Sequence, residues 1–156
     1  MRAVSVLDDY TVTDKIIKES EDLLQATIDG DEETAARALD ESHIHVTSNR
    51  SYNNEDALQS AIYLAYIYAL NKYTVIKEMT TGRGFADVAF IPFVPDIPAM
   101  IIELKHNKCA ESALDQIKEK KYFDSLKDYE GGLLFVGVNY DEKDKTHTCR
   151  IENFLK

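Results

Sequence analysis

The chain has 156 residues, 44% of them hydrophobic and 29% charged, with a formal net charge of −10, the profile of an ordinary globular domain long enough to bury a real core. The acidic balance argues against broad, nonspecific nucleic-acid affinity, which rests on basic surfaces. No apolar run reaches the length of a membrane span, no basic-then-apolar leader opens the chain, and Cys109 and Cys149 are too few for a disulfide framework, so the cytoplasm is the expected compartment.

Residues 1–50 read as a helical preface. Residues 1–12 show no clear period and read as an arm or as a plain chain end. Thr13 or Asp14 can cap a helix whose apolar positions Ile16, Ile17, Leu23, Leu24 and Ile28 recur at helical spacing, with Gly30 as its stop. Asp31 can cap a second helix through Ala35, Ala36 and Leu39 that ends near Ser42. Together they predict an αα-hairpin with an acidic outer face. His43 and His45 flank Ile44 in what reads as an extended link, and no other ligand near them in sequence completes a metal site.

Asn53 or Asn54 is placed to cap a long helix from about Glu55 to Leu70. Leu58, Ala61, Ile62, Ala65 and Ala69 form its apolar stripe, broadened by Tyr63, Tyr66, Ile67 and Tyr68, so it must be largely buried. Glu55 in its first turn is read most simply as an acid that complements the positive end of the helix dipole. A strand rich in β-formers follows from Tyr73 to about Glu78. The Thr80–Gly84 turn can return the chain as a hairpin, and it lacks the Lys-Ser/Thr ending and following helix of a phosphate loop.

Residues 85–105, FADVAFIPFVPDIPAMIIELK, read as two strands joined by a proline-bearing connector from Pro92 to Pro98. Strand alternation puts Phe85, Asp87, Ala89 and Ile91 on one face and Ala86, Val88, Phe90 and Pro92 on the other. In the next strand Ile101, Glu103 and Lys105 share a face opposite Ile102, Leu104 and His106. Antiparallel pairing across the connector would set Asp87 near Glu103. Charged groups inside strands need pairing or a metal, and a structural Asp–Lys ion pair at a sheet edge is the plain alternative.

A helix from about Ala110 to Leu126, capped by Asn107 or a nearby residue, can turn Ala113, Leu114, Ile117 and Tyr122 to the sheet. Residues 128–132 form a turn. Leu133–Tyr140 is so continuously apolar that it predicts a strand buried on both faces. The charged turn Asp141–Lys145 leads to a last, more polar strand, Thr146–Ile151. Cys149 and His147 on that strand are assigned to packing and to the surface. Cys109 beside His106 lacks the further ligands a metal needs. The order predicts an α/β fold with a central mixed sheet flanked by helices.

Gly82-Arg83-Gly84-Phe85-Ala86-Asp87, then Pro98-Ala99-Met100-Ile101-Ile102-Glu103-Leu104-Lys105, then Ala113-Leu114-Asp115-Gln116-Ile117 to Tyr122 and Thr146-His147-Thr148-Cys149 resemble the PD-(D/E)XK nuclease superfamily. The wording is most similar to the nuclease-like domain found at the C-terminus of bacterial AAA-ATPase-like proteins. The resemblance covers roughly residues 50–154. It implies a restriction-endonuclease-like α-β-β-β-α-β core over residues 51–156, preceded by a hairpin over residues 1–50 that looks like the linker to an ATPase. It further implies that Asp87 and Glu103, with the Leu104 carbonyl and waters, hold Mg²⁺ or Mn²⁺. That cation would neutralise a phosphodiester oxygen and lower the pKa of a water, while Lys105 orients the water and stabilises transition-state charge. Glu55 matches a metal-binding acid of many such nucleases, and Gln116 matches the family's glutamine. The implied substrate is DNA and the implied partner an AAA-ATPase-like domain or subunit, with no membrane.

Ala86, where the family name implies proline, is the one departure from the pattern. A literal Pro95-Asp96 stands in the connector. A metal site needs its acids on rigid neighbouring strands, which favours Asp87 over Asp96. A basic groove beside Glu103 would draw on Arg83, Lys105, Lys108, Lys118 and Lys120. Two readings remain. One is a metal-dependent DNA nuclease, which the complete trio of Asp87, Glu103 and Lys105 favours; the other is a non-catalytic nuclease-like module for protein interaction or assembly, which the −10 charge favours a little.

Overall fold

The computed structural model describes residues 2–46, 61–79, 86–120 and 131–153, with side chains described for all of these except 2–13, 43–46, 77–79, 86–87, 116 and 118–120. Helix α1 (Arg2–Ile28) and helix α2 (Glu32–Val46) are followed by a helical segment at 61–65 that runs into a 3-10 turn, Ile67–Asn71. Then come β1 (Tyr73–Met79), β2 (Ala86–Pro92), β3 (Ala99–His106), α3 (Ala110–Lys120), β4 (Leu133–Asp141) and β5 (Thr146–Asn153). The five strands form one mixed sheet in the order β1-β2-β3-β4-β5, parallel at β3–β4 and antiparallel elsewhere.

Alternation divides the sheet as the sequence predicts. Val88, Phe90, Met100, Ile102, Leu104, Leu134, Val136 and Val138 join Leu23 and Leu24 of α1, Leu39 of α2, and Ile62, Tyr66 and Ala69 in one buried cluster. On the other face Ala99, Ile101, Leu133 and Phe135 pack with Leu114 and Ile117 of α3. Interior strand β4 is buried along both faces, as its unbroken apolar run requires.

Gly30 stops α1 at φ +75°, and the amides of Asp31 and Gly30 bond back to the carbonyls of Ala26 and Thr27, the Schellman pattern that favours glycine there. Asp31 then caps α2 by accepting the Thr34 amide at 3.2 Å, and hydrogen bonds from Thr34 hold its carboxyl below the usual range.

Four expectations change. Residues 2–12 are helical and belong to α1, for no glycine or proline interrupts the chain before Gly30 and extending a formed helix is far easier than starting one. By the same reasoning α2 runs past Ser42 to Val46, so His43 and His45 lie on a helix, where positions two apart do not face each other. The long helix does not continue regularly to Leu70. Ser20 Oγ of α1 accepts the Tyr68 amide at 2.8 Å, and Ala69 and Lys72 bond three residues back, so the end tightens into a 3-10 turn. Finally, Asn107 does not cap α3. It sits at φ +57° with its Oδ1 accepting the Glu142 amide, and the Cys109 carbonyl instead meets the Ala113 amide and the Ser112 hydroxyl.

Candidate active site

The site is built on the middle of the sheet, where β3 is buried along seven of its eight residues. Glu103 is 0% exposed and Lys105 5%. Both share the face of Ala99 and Ile101, the face that α3 covers, and neither is left without a partner. Removing a carboxylate and an ammonium from water is costly unless each is compensated, so their burial two positions apart marks a specialised place in the sheet.

Register supplies the neighbours. Asp87 on β2 lies directly opposite Glu103, with Glu78 of β1 opposite Asp87 in turn. On the other side Glu103 pairs with Gly137 and Lys105 with Asn139 of β4. Gly137 is where α3 touches down: a Cβ there would stand 2.5 Å from the Ala110 carbonyl oxygen and 3.0 Å from the Leu114 nitrogen. Asn139, 5% exposed, accepts the Lys108 amide through Oδ1 at 2.9 Å. The Asn107 amide bonds the Tyr140 carbonyl at 2.8 Å. The start of α3 is thus tied to β4 one strand away from Glu103 and Lys105.

The other sequence candidates fall as follows. Leu104, between the two charged residues, turns its side chain into the opposite core. Gln116 lies on α3, with its side chain outside the described residues. Glu55, Arg83 and Tyr122 lie outside the described residues altogether, as does the side chain of Asp87. Asp96 is exposed, at φ +69°, in the connector beyond the Phe90–Met100 end of the β2–β3 ladder. Among the described residues no group of three or more His, Cys, Asp or Glu could hold a metal ion. Hard carboxylate oxygens such as those of Glu103 and Asp87 are nevertheless the donors that Mg²⁺ and Mn²⁺ prefer, so the residue types fit a divalent cation.

A surface groove opens elsewhere, between α2, β5 and the start of α3. It includes Lys108 but neither Glu103 nor Lys105, and acidic lining residues outnumber basic ones seven to three, which does not suit a polyanion. Sequence reasoning missed the residues of its α2 side. His147 is buried rather than on the surface, its Nδ1 2.8 Å from Asp40 Oδ1, and its ring packs on Tyr140 with centroids 4.9 Å apart. Cys149 is also buried, and burial pushes its thiol up to about 12. No local pattern could have paired Asp40 with His147, which stand 107 positions apart.

A family model described as the PD-(D/E)XK nuclease superfamily matches residues 53–149. The mixed sheet with helices on both faces agrees with a restriction-endonuclease-like α/β fold. No curated protein matches the chain. Among the described residues no helix is long and apolar enough to cross a membrane.

Proposed function

The chain belongs to the PD-(D/E)XK nuclease superfamily, and from that membership we propose that it hydrolyses phosphodiester bonds of DNA with a divalent metal ion, as the nuclease module of an AAA-ATPase-like protein. The observation that carries the reading is the register of Asp87 opposite Glu103, with Lys105 buried on the face of Glu103. Directly opposed residues of an antiparallel pair have Cβ atoms about 4.5–5.5 Å apart, close enough for two carboxylates to share a cation.

Asp87 and Glu103 would hold Mg²⁺ or Mn²⁺ with the Leu104 carbonyl, and Glu55 would add a further carboxylate. When bound, the cation supplies Lewis acidity toward a phosphodiester oxygen and the attacking water. Lys105 orients that water and meets the negative charge that grows on the phosphoryl oxygens. Its near-complete burial strengthens the interaction by excluding competing solvent. Gln116, on α3, would contact the substrate or a water at the cation. Cytoplasmic DNA is the expected substrate pool.

The net charge of −10 supports a second reading, a nuclease-like module that binds protein and no longer cuts. Incubating the protein with supercoiled and linear DNA in Mg²⁺ or Mn²⁺, against a chelator control, separates the two. Metal-dependent nicking that Glu103→Gln abolishes supports the nuclease. A folded protein that neither binds Mn²⁺ nor nicks any DNA leaves the interaction module.

A further inference from the structure

Among the described residues, strand β5 pairs only with β4. Backbone N–H groups alternate between the two edges of a strand, so those of His147, Cys149 and Ile151 face outward together. Two of the three are taken by side chains of α2. Asp40 Oδ1 accepts the His147 amide at 2.7 Å, and Glu32 Oε2 accepts the Ile151 amide at 2.8 Å.

The spacing explains why a helix can do this. Glu32 and Asp40 are eight residues apart on α2, a rise of about 12 Å. Ile151 and His147 are four residues apart on β5, about 13 Å. The earlier acid meets the later amide, so α2 runs antiparallel to β5. Ala36, midway between the acids, is small enough for close approach and packs against the core. Arg150 adds a clasp, with Nε 3.4 Å from Glu32 Oε2 and Nη1 3.2 Å from Glu111 Oε2 at the start of α3.

We propose that α2 is an edge cap, whose Glu32 and Asp40 carboxylates stand in for the carbonyls of a neighbouring strand and deny the outer edge of β5 to a strand from a second copy of the chain. An open edge is a template for pairing. Carboxylates satisfy its amides while offering no donor from which the sheet could continue. The device does not rest on the nuclease reading, and it makes the hairpin a working part of the sheet rather than a tether.

Amide hydrogen exchange on the full chain tests it. In the Glu32→Ala/Asp40→Ala double variant, the His147 and Ile151 amides should exchange about tenfold faster or more, while those of Thr148 and Arg150, directed toward β4, keep their protection. Asp40→Asn and Glu32→Gln retain a carbonyl acceptor and should preserve protection. Sedimentation should show the double variant associating at concentrations where the wild type does not. Unchanged exchange in the folded double variant overturns the cap. Faster exchange without added association overturns the denial of a second copy. Should the double variant fail to fold, Glu32→Ala against Glu32→Gln gives the same two readouts at Ile151.

Discussion

Gly137 and Ala110 meet backbone to backbone: a methyl group on the Gly137 Cα would stand 2.5 Å from the Ala110 carbonyl oxygen. That contact presses the start of α3 onto β4 beside Glu103, its register partner on β3. No flexible side chain can yield there, so Gly137→Ala must lift α3 or bend β4. It should cost about 2 kcal/mol of stability, read by chemical denaturation, and should reduce any metal binding that depends on Glu103.

Asp87, not the Asp96 of the literal Pro-Asp pair, should be the metal ligand. Asp87 lies opposite Glu103 in the ladder, whereas Asp96 is exposed in the connector at its other end. In a Mn²⁺ titration Asp87→Ala should lose binding and Asp96→Ala should keep it. The reverse outcome would reassign the site.

Lys105→Ala should lower metal-dependent DNA cleavage about a hundredfold or more, the scale of losing one preorganised charge stabiliser, while Mn²⁺ binding persists. Loss of both together would point instead to a structural role for the buried ammonium.

Cys149 makes stability fall in alkali. Burial is the main cause that raises its thiol from 9.0 to about 12, with the Glu32 charge adding to it. Its contribution is fully present below pH 9. Above that the unfolded chain loses the proton while the folded chain keeps it, so stability drops steadily with pH until the folded thiol titrates near 12. Denaturation midpoints from pH 8 to 11 should therefore fall more steeply for the wild type than for Cys149→Ala.

Cys109 should alkylate first of the two thiols. It is exposed, and hydrogen bonds from Ser112 at the start of α3 lower its pKa, whereas Cys149 is buried. Mass spectrometry after limited iodoacetamide treatment near neutral pH should find the label on Cys109. Ser112→Ala should slow it several-fold.

Elements governed by local periodicity were legible. The faces of β2 and β3, the doubly buried β4, the Gly30 stop and the Asp31 cap all follow from rules spanning a few residues. The end of the long helix was not, because Ser20 takes the Tyr68 amide from 48 positions away. The buried His147 was not either, since an edge strand looks half-exposed until a helix covers it. Asn107 misled as a cap because its side chain is claimed by Glu142 across the sheet.

The sequence alone determined which residues share a face, since alternation and helical period are properties of the chain's own geometry. That put Glu103 and Lys105 side by side and made Asp87 the aspartate on a strand. The short connector also brought Asp87 near Glu103, as the ladder bears out. Only the tertiary structure decided the landing of α3 on Gly137 and the capping of β5 by Glu32 and Asp40, 119 and 107 positions from their amides. Those contacts exist because closing the sheet and packing its two faces bring distant segments within bonding distance, which no local pattern encodes.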